Sequence, residues 1–479
     1  MIPVLLIFVP VVSGLISFFL KGANAAKAWA LVSSIITLVI ALGSLCSAQH
    51  GQLSYDVAWL PGLGARFSVA LDGMGKMLTL LTAISFPVVF IATYKNEYKN
   101  ANSFYALMLL TQAGLMGVFV AMDGLLFYFF WELALIPVYF LCSKWGGEKR
   151  IAVTFKFFVY TFVGSLLMLI GIIYLYTQTP DHSFAIKSFY ALQLSAKEQN
   201  FIFWFFFIAF AIKMPIFPFH TWQPDAYEQS PTAVTMILSG VMVKMGIFAV
   251  IRWLIPVFPE ASAKFGNLVI ILSVIGMLYA SLIAIKQDDV KRLIAYSSIA
   301  HIGLMCAAIF ALKDVSLQGV MIQMFNHGIN VIGLWIVADA IEQKLGTRKF
   351  SELGGLAQKA PGLAILLVAL AFANVALPLT NAFIGEFLMF SGLFQYNACI
   401  AAVAGISIIL GAVYTLNMVQ KVFYGNTVAA TENAGEVSGN VRLILVVVVI
   451  GIIVLGVYPQ PVINLTNDTV KTILTIPHP

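Results

Sequence analysis

Apolar runs long enough to cross a bilayer recur along the whole chain, and short polar stretches separate one run from the next. A transmembrane helix needs about 20 mostly apolar residues, and 61% of the 479 residues are hydrophobic whereas only 10% are charged. The sequence predicts an all-α, polytopic membrane protein of about fourteen transmembrane helices that form one transmembrane domain over residues 1–479. The predicted helices lie near residues 3–20, 28–48, 74–94, 102–121, 123–142, 153–177, 200–222, 232–254, 266–285, 290–311, 316–341, 361–395, 397–421 and 441–459.

The predicted loops carry unequal numbers of basic residues. With the first loop taken as cytoplasmic, roughly twice as many Lys and Arg residues fall on the cytoplasmic face as on the other face. Both termini are therefore expected on the outer side of the membrane. The net charge of +6 reflects this distribution and does not indicate binding to nucleic acid. The loops are too short for a soluble catalytic domain, and no glycine-rich nucleotide-binding loop lies between a strand and a helix.

One predicted helix is broken inside the membrane. Lys213 lies deep in an apolar run and is followed by Pro215 and Pro218, which remove backbone donors and interrupt a helix. Irregular backbone at that depth must face protein or a polar cavity rather than lipid. A lysine could reach the interface from a helix end, but the polar residues that follow favour a functional charge at this break.

A second apolar run is interrupted in a similar way. Pro378 and Asn381 break the run VALPLTNAFIGEFLMF, and Glu386 follows the break. Interrupted helices at matching places in two blocks are typical of transporters with internal inverted repeats. The sequence therefore predicts two inverted five-helix repeats, residues 102–254 and residues 266–421, each with one broken helix.

Two further charges lie at the centres of predicted helices. Glu132 occurs in LLFYFFWELALIPVYF and Lys244 occurs in TMILSGVMVKMGIFAVI. A charge at the membrane centre costs about 2.5 kcal/mol or more, so such residues usually mark a proton or ion pathway. Lys213 is the candidate partner of Glu132, either in proton transfer or in a static ion pair that sets helix register. Lys244 is too central to reach the interface, which favours a proton or ion site.

Two histidines occur in the next central helices. Histidine titrates near neutral pH and therefore suits a proton relay, although either histidine alone could simply pack between helices. Because both lie on adjacent helices between Lys244 and Glu386, the sequence favours the relay. The predicted polar axis in the membrane plane comprises Glu132, Lys213, Lys244, His301, His327 and Glu386.

His220 and Asp225 follow the first break and extend its polar character toward the cytoplasmic face. They could serve proton uptake into the axis. They could equally order the loop in which they lie. The residues alone leave both interpretations open.

The cysteines do not indicate a metal centre. Cys46, Cys142, Cys306 and Cys399 lie in or beside apolar runs without a ligand-like spacing, so they are expected to pack as small apolar residues. No predicted helix carries the paired histidines or cysteines of an intramembrane haem or iron-sulfur site. The sequence predicts no metal site and no bound cofactor in this chain.

Long strings in these segments resemble the antiporter-like, proton-pumping membrane subunits of bacterial respiratory complex I, the NADH:quinone oxidoreductase. Glutamate at the second break, Glu386, resembles the M subunit rather than the L or N subunits. The matching strings span roughly residues 120–395 and are FFWELALIPVYFL, AIKMPIFPFHTWQPDAYEQSPT, VKRLIAYSSIAHIGLM, NHGIN and FIGEFLMF.

The resemblance implies a proton-translocating subunit of a translocase in the bacterial cytoplasmic (inner) membrane, with no redox active site and no direct NADH binding. It implies that FMN, iron-sulfur clusters and quinone are bound by partner subunits. The other membrane-arm subunits of complex I, the lipid bilayer and protons are the implied partners. Energy released by redox chemistry elsewhere would separate Glu132 from Lys213 and drive a proton toward Lys244 and Glu386.

Some positions depart from the family pattern. Gln223 stands where leucine is usual, and Tyr227 stands where histidine is usual, which argues against a proton role at residue 227. A subunit of a multi-subunit cation/proton antiporter shares the lysine and glutamate core and stays an alternative at this stage. A membrane-bound hydrogenase subunit is a third candidate.

Overall fold

The structure is a computed structural model that describes residues 1–47, 50–432 and 434–475. Eleven of the helices in these residues are long and apolar enough to cross a membrane without interruption. They are α2 (Ala23–Cys46), α4 (Gly73–Ala92), α5 (Ala101–Val120), α6 (Gly124–Trp145), α7 (Arg150–Gln178), the helix Thr232–Leu254, which contains α11 (Thr232–Ile237) and α12 (Lys244–Ala249), α13 (Pro259–Ile285), α14 (Val290–Phe310), α15 (Asp314–Leu345), α19 (Ala398–Phe423) and α20 (Gly439–Val457).

Two further crossings are broken helices, as predicted. The first consists of α9 (Ala196–Lys213) and α10 (Gln223–Gln229), and the second consists of α17 (Pro361–Asn374) and α18 (Asn381–Tyr396). Together with α1 (Ile2–Ser17), they bring the described chain to fourteen crossings. The predicted all-α polytopic fold is thereby confirmed, whereas the division into two inverted repeats stays a prediction.

Several short elements were not predicted from the sequence. An antiparallel hairpin of β1 (Ser54–Leu60) and β2 (Ala65–Ala70) follows α2, and Gly64 turns between the strands with a positive φ of 69°. Glycine tolerates this left-handed conformation because it has no Cβ atom. The short helices are α3 (His50–Leu53), α8 (Ile186–Tyr190) and α16 (Leu356–Lys359).

A C-terminal helix, α21 (Gln460–Leu474), was also missed. It packs against the start of α4, where a Cβ atom on Gly73 would lie 1.9 Å from the backbone oxygen of Leu465. The side chain of Gln318 on α15 lies 3.4 Å from Asn467. α21 is therefore seated on the ends of two crossing helices rather than spanning the membrane itself.

The central crossings carry the polar residues, and the outer crossings expose apolar ones. The helix Thr232–Leu254 is buried along its whole length, and α14 and α15 are buried along nearly all of theirs. In contrast, α2, α19 and α20 expose most of their apolar side chains. This arrangement keeps ionisable side chains away from the surface that lipid would cover.

Close contact between α5 and α6 holds the helix that carries Glu132 against the core. A Cβ atom on Gly114 would lie 2.4 Å from the backbone nitrogen of Ala134 and 2.6 Å from its Cα atom. Small residues allow transmembrane helices to approach this closely. A larger side chain at residue 114 would meet backbone atoms, which cannot move aside as a flexible side chain can.

We expect Gly114→Val to destabilise the chain by about 1–3 kcal/mol, the usual cost of overpacking. Thermal unfolding in mild detergent, followed by thiol labelling of the buried cysteines Cys142 and Cys306, measures the effect. Gly43→Val is the matched control, because nothing lies within 4 Å of a Cβ atom at that position. Equal unfolding temperatures for the two variants would contradict the packing that the structure shows.

Candidate functional site

The first helix break places Lys213 at the last residue of α9, in the buried interior. Its Nζ atom lies 5.5 Å from the centre of the Trp131 ring, in a cation–π contact. Glu132, the next residue on α6, interacts with Lys213 electrostatically. The two side chains do not form a direct ion pair, and neither Nζ of Lys213 nor Oε1 of Glu132 has a hydrogen-bond partner among the described residues.

Lys244 lies between two π-helical turns of the helix Thr232–Leu254. The turns span Leu238–Met242 and Val250–Leu254, and such turns are frequent at functional sites. In the first turn, the N–H of Val243 donates to the carbonyl of Leu238, five residues back, at 3.2 Å. The widened turn brings the carbonyl of Ser239 within reach of Lys244, whose Nζ atom donates to it at 2.8 Å.

Lys244 also contacts His327 on α15. Nζ of Lys244 lies 2.8 Å from Nδ1 of His327. The two helices can approach because both carry glycine at the crossing: a Cβ atom on Gly328 would lie 2.8 Å from the backbone oxygen of Gly240. The π-helical turn and the two glycines therefore bring a buried lysine and a buried histidine into contact.

The second histidine continues the series toward α18. The ring centres of His327 and His301 are 5.5 Å apart, and Nε2 of His327 lies 3.2 Å from the hydroxyl of Ser298. Nδ1 of His301 lies 3.0 Å from Oε1 of Glu386. The structure thus brings together Lys244, His327, His301 and Glu386 in contact order, four of the six residues predicted for the axis.

The other two predicted residues lie beside this series without a hydrogen bond to it. Lys213 ends α9 where that helix meets α12, since a Cβ atom on Gly246 would lie 2.8 Å from the backbone nitrogen of Met214. No hydrogen bond between Lys213 and Lys244 is present. Glu132 and Lys213 therefore lie near Lys244 without a hydrogen bond to it.

The second helix break carries a polar branch near Glu386. The hydroxyl of Tyr414 donates to Ser297 at 3.0 Å, and the amide of Asn374 donates to Thr415 at 2.9 Å and to Ser297 at 3.3 Å. A small cavity beside these groups is lined by His301 and Glu386 as well. These groups place polar atoms beside Glu386, the last residue of the series, in an otherwise apolar region.

His220 and Asp225 have different surroundings. Asp225 forms ion pairs with Lys156 at 2.9 Å and with Arg292 at 3.2 Å. His220 is buried between Phe217 and other aromatic residues, and its Nδ1 atom has no hydrogen-bond partner in the described part of the chain. Asp225 lies in α10, and its ion pairs join this helix to Lys156 on α7 and Arg292 on α14. The uptake role of His220 and Asp225 stays a prediction.

Two buried ion pairs were missed by the sequence analysis, which treated their cations as loop charges. Nη2 of Arg252 lies 2.7 Å from both carboxylate oxygens of Asp72, and Nζ of Lys291 lies 2.5 Å from Glu342. Asp72 also accepts a hydrogen bond from the N–H of Gly75 and so caps the start of α4. The sequence alone does not show whether the side chain of a basic residue near a helix end turns into the protein interior.

Comparison with known proteins gives the same family as the sequence resemblance. The family described as "NADH:quinone oxidoreductase/Mrp antiporter, TM" matches residues 121–411. The NADH-quinone oxidoreductase subunit M of Rickettsia prowazekii is 35% identical over 98% of this chain and 97% of its own length. The chain belongs to this family of antiporter-like membrane subunits. Within the family it is of the subunit M type, as Glu386 at the second break predicted.

Two further antiporter-like relatives extend the comparison. The F(420)H(2) dehydrogenase subunit M of Methanosarcina mazei is 35% identical over 99% of both chains. A chain of the structure "Respiratory complex I from Thermus thermophilus with bound NADH" superimposes with a TM-score of 0.89 at 28% identity and covers 99% of this chain and 100% of its own. The subunit M type thus occurs in complexes with different electron donors.

We expect Arg292→Gln to lower the stability of this antiporter-like chain by about 1–3 kcal/mol, because Asp225 and Glu228, both partly buried, each lose one of their two cationic partners. Arg292 forms ion pairs with Glu228 at 2.8 Å and with Asp225 at 3.2 Å. The control is Lys349→Gln, which breaks only the exposed pair with Glu352 and should cost less than about 1 kcal/mol. Thermal unfolding in detergent compares the two variants, and equal losses would argue against an ordering role for Arg292.

Proposed function

We propose that this chain moves protons across the membrane as the M-type subunit of an NADH:quinone oxidoreductase. One observation carries the proposal: Lys244, His327, His301 and Glu386 form a series of neighbouring groups in the interior of a multi-pass membrane protein. Buried ionisable groups are costly in a membrane and are retained where they serve a pathway. A packing role alone would not need four titratable residues in contact order.

The hydrogen-bond geometry supports a relay in one direction. Lys244 as an ammonium donates to Nδ1 of His327, so the neutral His327 carries its proton on Nε2. When Lys244 passes a proton to Nδ1, His327 can release the one on Nε2. Nε2 of His301 has no partner among the described residues and is open to accept it. His301 then donates from Nδ1 to the carboxylate of Glu386.

Glu132 and Lys213 are proposed to control the relay electrostatically. At a separation beyond 4 Å, two unit charges at an effective dielectric of 20 interact by less than about 4 kcal/mol. Moving one charge against 100 mV costs about 2.3 kcal/mol. A change in the distance between Glu132 and Lys213 therefore acts on the right scale. Separating them would free the ammonium of Lys213 to repel the neighbouring Lys244 and drive its proton toward His327.

The redox chemistry is proposed to lie in partner subunits. FMN, iron-sulfur clusters and quinone would be bound there, and this chain would meet protons, lipid and the neighbouring membrane-arm subunits. Both termini are proposed to face the outer side of the bacterial inner membrane, because basic loop residues are concentrated on the opposite face. Classification as a translocase subunit without NADH binding follows from the same proposal.

A cation/proton antiporter subunit is the competing function, because the matching family also covers Mrp antiporters. The named relatives over the full chain favour the oxidoreductase. The discriminating property is the assembly in which the chain resides.

We expect the tagged chain, in mildly solubilised membranes, to migrate on a native gel with a large band that oxidises NADH. The physical reason is that a subunit without a redox site acts only in a complex that holds one. If the chain migrates in a smaller assembly that does not oxidise NADH, and that assembly exchanges protons for sodium, the proposal is wrong and the chain is a cation/proton antiporter subunit. An electron donor other than NADH would show as a large band that stains only with that donor.

A second prediction concerns the relay. His301→Gln removes the group that joins His327 to Glu386, and loss of a positioned proton carrier slows transfer about 100-fold or more. In vesicles containing the intact complex, we expect fewer protons moved per electron. The exposed His182 serves as the control, and His182→Gln should leave the ratio unchanged. If His301→Gln leaves the number of protons moved per electron unchanged, His301 does not relay protons and the proposed relay is wrong.

A further inference from the structure

A polar cavity of about 350 Å³ opens on the face that is predicted to be cytoplasmic. The cavity is lined by loop residues 96–99 and by residues 228–232, which join the end of α10 to the start of α11. Lys291 and Asp339 lie at its inner end and are only 3% and 7% exposed. Neither residue belongs to the axis described above. The cavity therefore brings solvent toward a second set of buried ionisable groups.

These groups are joined by short contacts. Nζ of Lys291 lies 2.5 Å from Glu342 and 3.0 Å from the hydroxyl of Thr232. The carboxyl group of Asp339 accepts a hydrogen bond from the amide of Asn96 at 3.2 Å, and Thr232 lines the same cavity as Asp339. Thr232 is thus the point where the cluster meets the start of the helix that carries Lys244.

Glu342 and Asp339 differ in their partners. Glu342 is held by Lys291 and by Arg348, whose Nη1 atom lies 2.9 Å away. Asp339 forms no ion pair in the described part of the chain, and its hydrogen-bond partner there is the neutral amide of Asn96. A carboxyl group with neutral partners can gain and lose a proton without breaking an ion pair. Asp339 is therefore the exchangeable member of the cluster.

Hydroxyl groups continue from this cluster along the helix to Lys244. Thr232, Thr235 and Ser239 follow one another at spacings of three and four residues, which places them on one helix face. Ser239 donates to the backbone oxygen of Thr235 at 2.8 Å, and Lys244 donates to the backbone oxygen of Ser239 at 2.8 Å. Side chains at this spacing are about 5–6 Å apart, a gap that one bridging water spans.

We propose that Asp339 is the proton-collecting residue of this chain, and that Thr232, Thr235 and Ser239 lead protons from it to Lys244. The inference rests on the proposed function, since it supplies the series that begins at Lys244. Asp339 takes a proton from water in the cavity. Each hydroxyl or water then accepts one proton as it releases another, and the neutral amine of Lys244 takes up the last after giving its own to His327.

The test uses the intact complex in vesicles and measures protons moved per electron together with the turnover of the electron donor. Lys244→Met, which cannot carry a proton, is the reference for a blocked series. We expect Asp339→Asn and Thr232→Val each to show the same protons moved per electron and the same donor turnover as Lys244→Met. The variant that carries both Asp339→Asn and Thr232→Val should be no more impaired than either single variant. Thr232→Ser, which keeps the hydroxyl, should restore at least half of the wild-type ratio.

Glu352→Gln is the control for loss of a carboxylate at the same face, because Glu352 is exposed and its partners, Lys349 and the hydroxyl of Thr347, lie on the same surface segment. It should behave as the wild type. If Lys244→Met is impaired while Asp339→Asn and Thr232→Val behave as Glu352→Gln does, the collecting site is wrong and the proposed function stands. If Lys244→Met itself pumps normally, the proposed function fails. Recovery of the assembled complex from each variant excludes loss of folding as the cause.

Discussion

The contact between Lys244 and His327 is the constraint on which the rest of the interior depends. A lysine at the middle of a wholly buried helix loses its hydration and needs nearby acceptors. The structure supplies two, the carbonyl of Ser239 and Nδ1 of His327, both at 2.8 Å. Meeting both requires a widened helical turn and a close crossing with α15. The π-helical turn at Leu238–Met242 and the approach of Gly240 to Gly328 are therefore consequences of placing a charge there.

The two faces of the protein hold the ends of these central helices by different means. On one face, Arg252 pairs with Asp72 at the start of α4, and α21 packs over the same helix start. On the other face, Arg292 on α14 pairs with Glu228 on α10, and Arg348 joins Glu228 to Glu342 on α15. Single exposed pairs contribute little to stability, but a shared network of partly buried pairs restricts the movement of several helices together. The second half of the first broken helix, α10, is thus held to α14 and α15.

Much of this architecture could be predicted from the sequence, because the membrane makes single residues informative. Glu132, Lys213 and Lys244 each stand alone in an apolar run, and Pro215 and Pro378 interrupt runs that are otherwise long enough to span. The contact between His301 and Glu386 could not be predicted, since it depends on how α14 packs against α18. Lys291 and Arg252 looked like loop charges because they lie near helix ends, and α21 was missed because QPVINLTNDTVKTIL is too polar for a crossing.

The chemical order of the axis also has a physical meaning. It begins with cationic side chains at Lys213 and Lys244 and ends with a carboxyl group at Glu386, with two imidazoles between them. A proton that leaves Lys244 for Glu386 neutralises a cation and an anion at once, which removes two charges from a low-dielectric interior. Burial therefore favours the proposed transfer in the same direction as the repulsion that a separated Lys213 would exert on Lys244. Lys213 lies beside Lys244 without a hydrogen bond to it, so a charge change at Glu132 and Lys213 would act on this transfer through electrostatics alone.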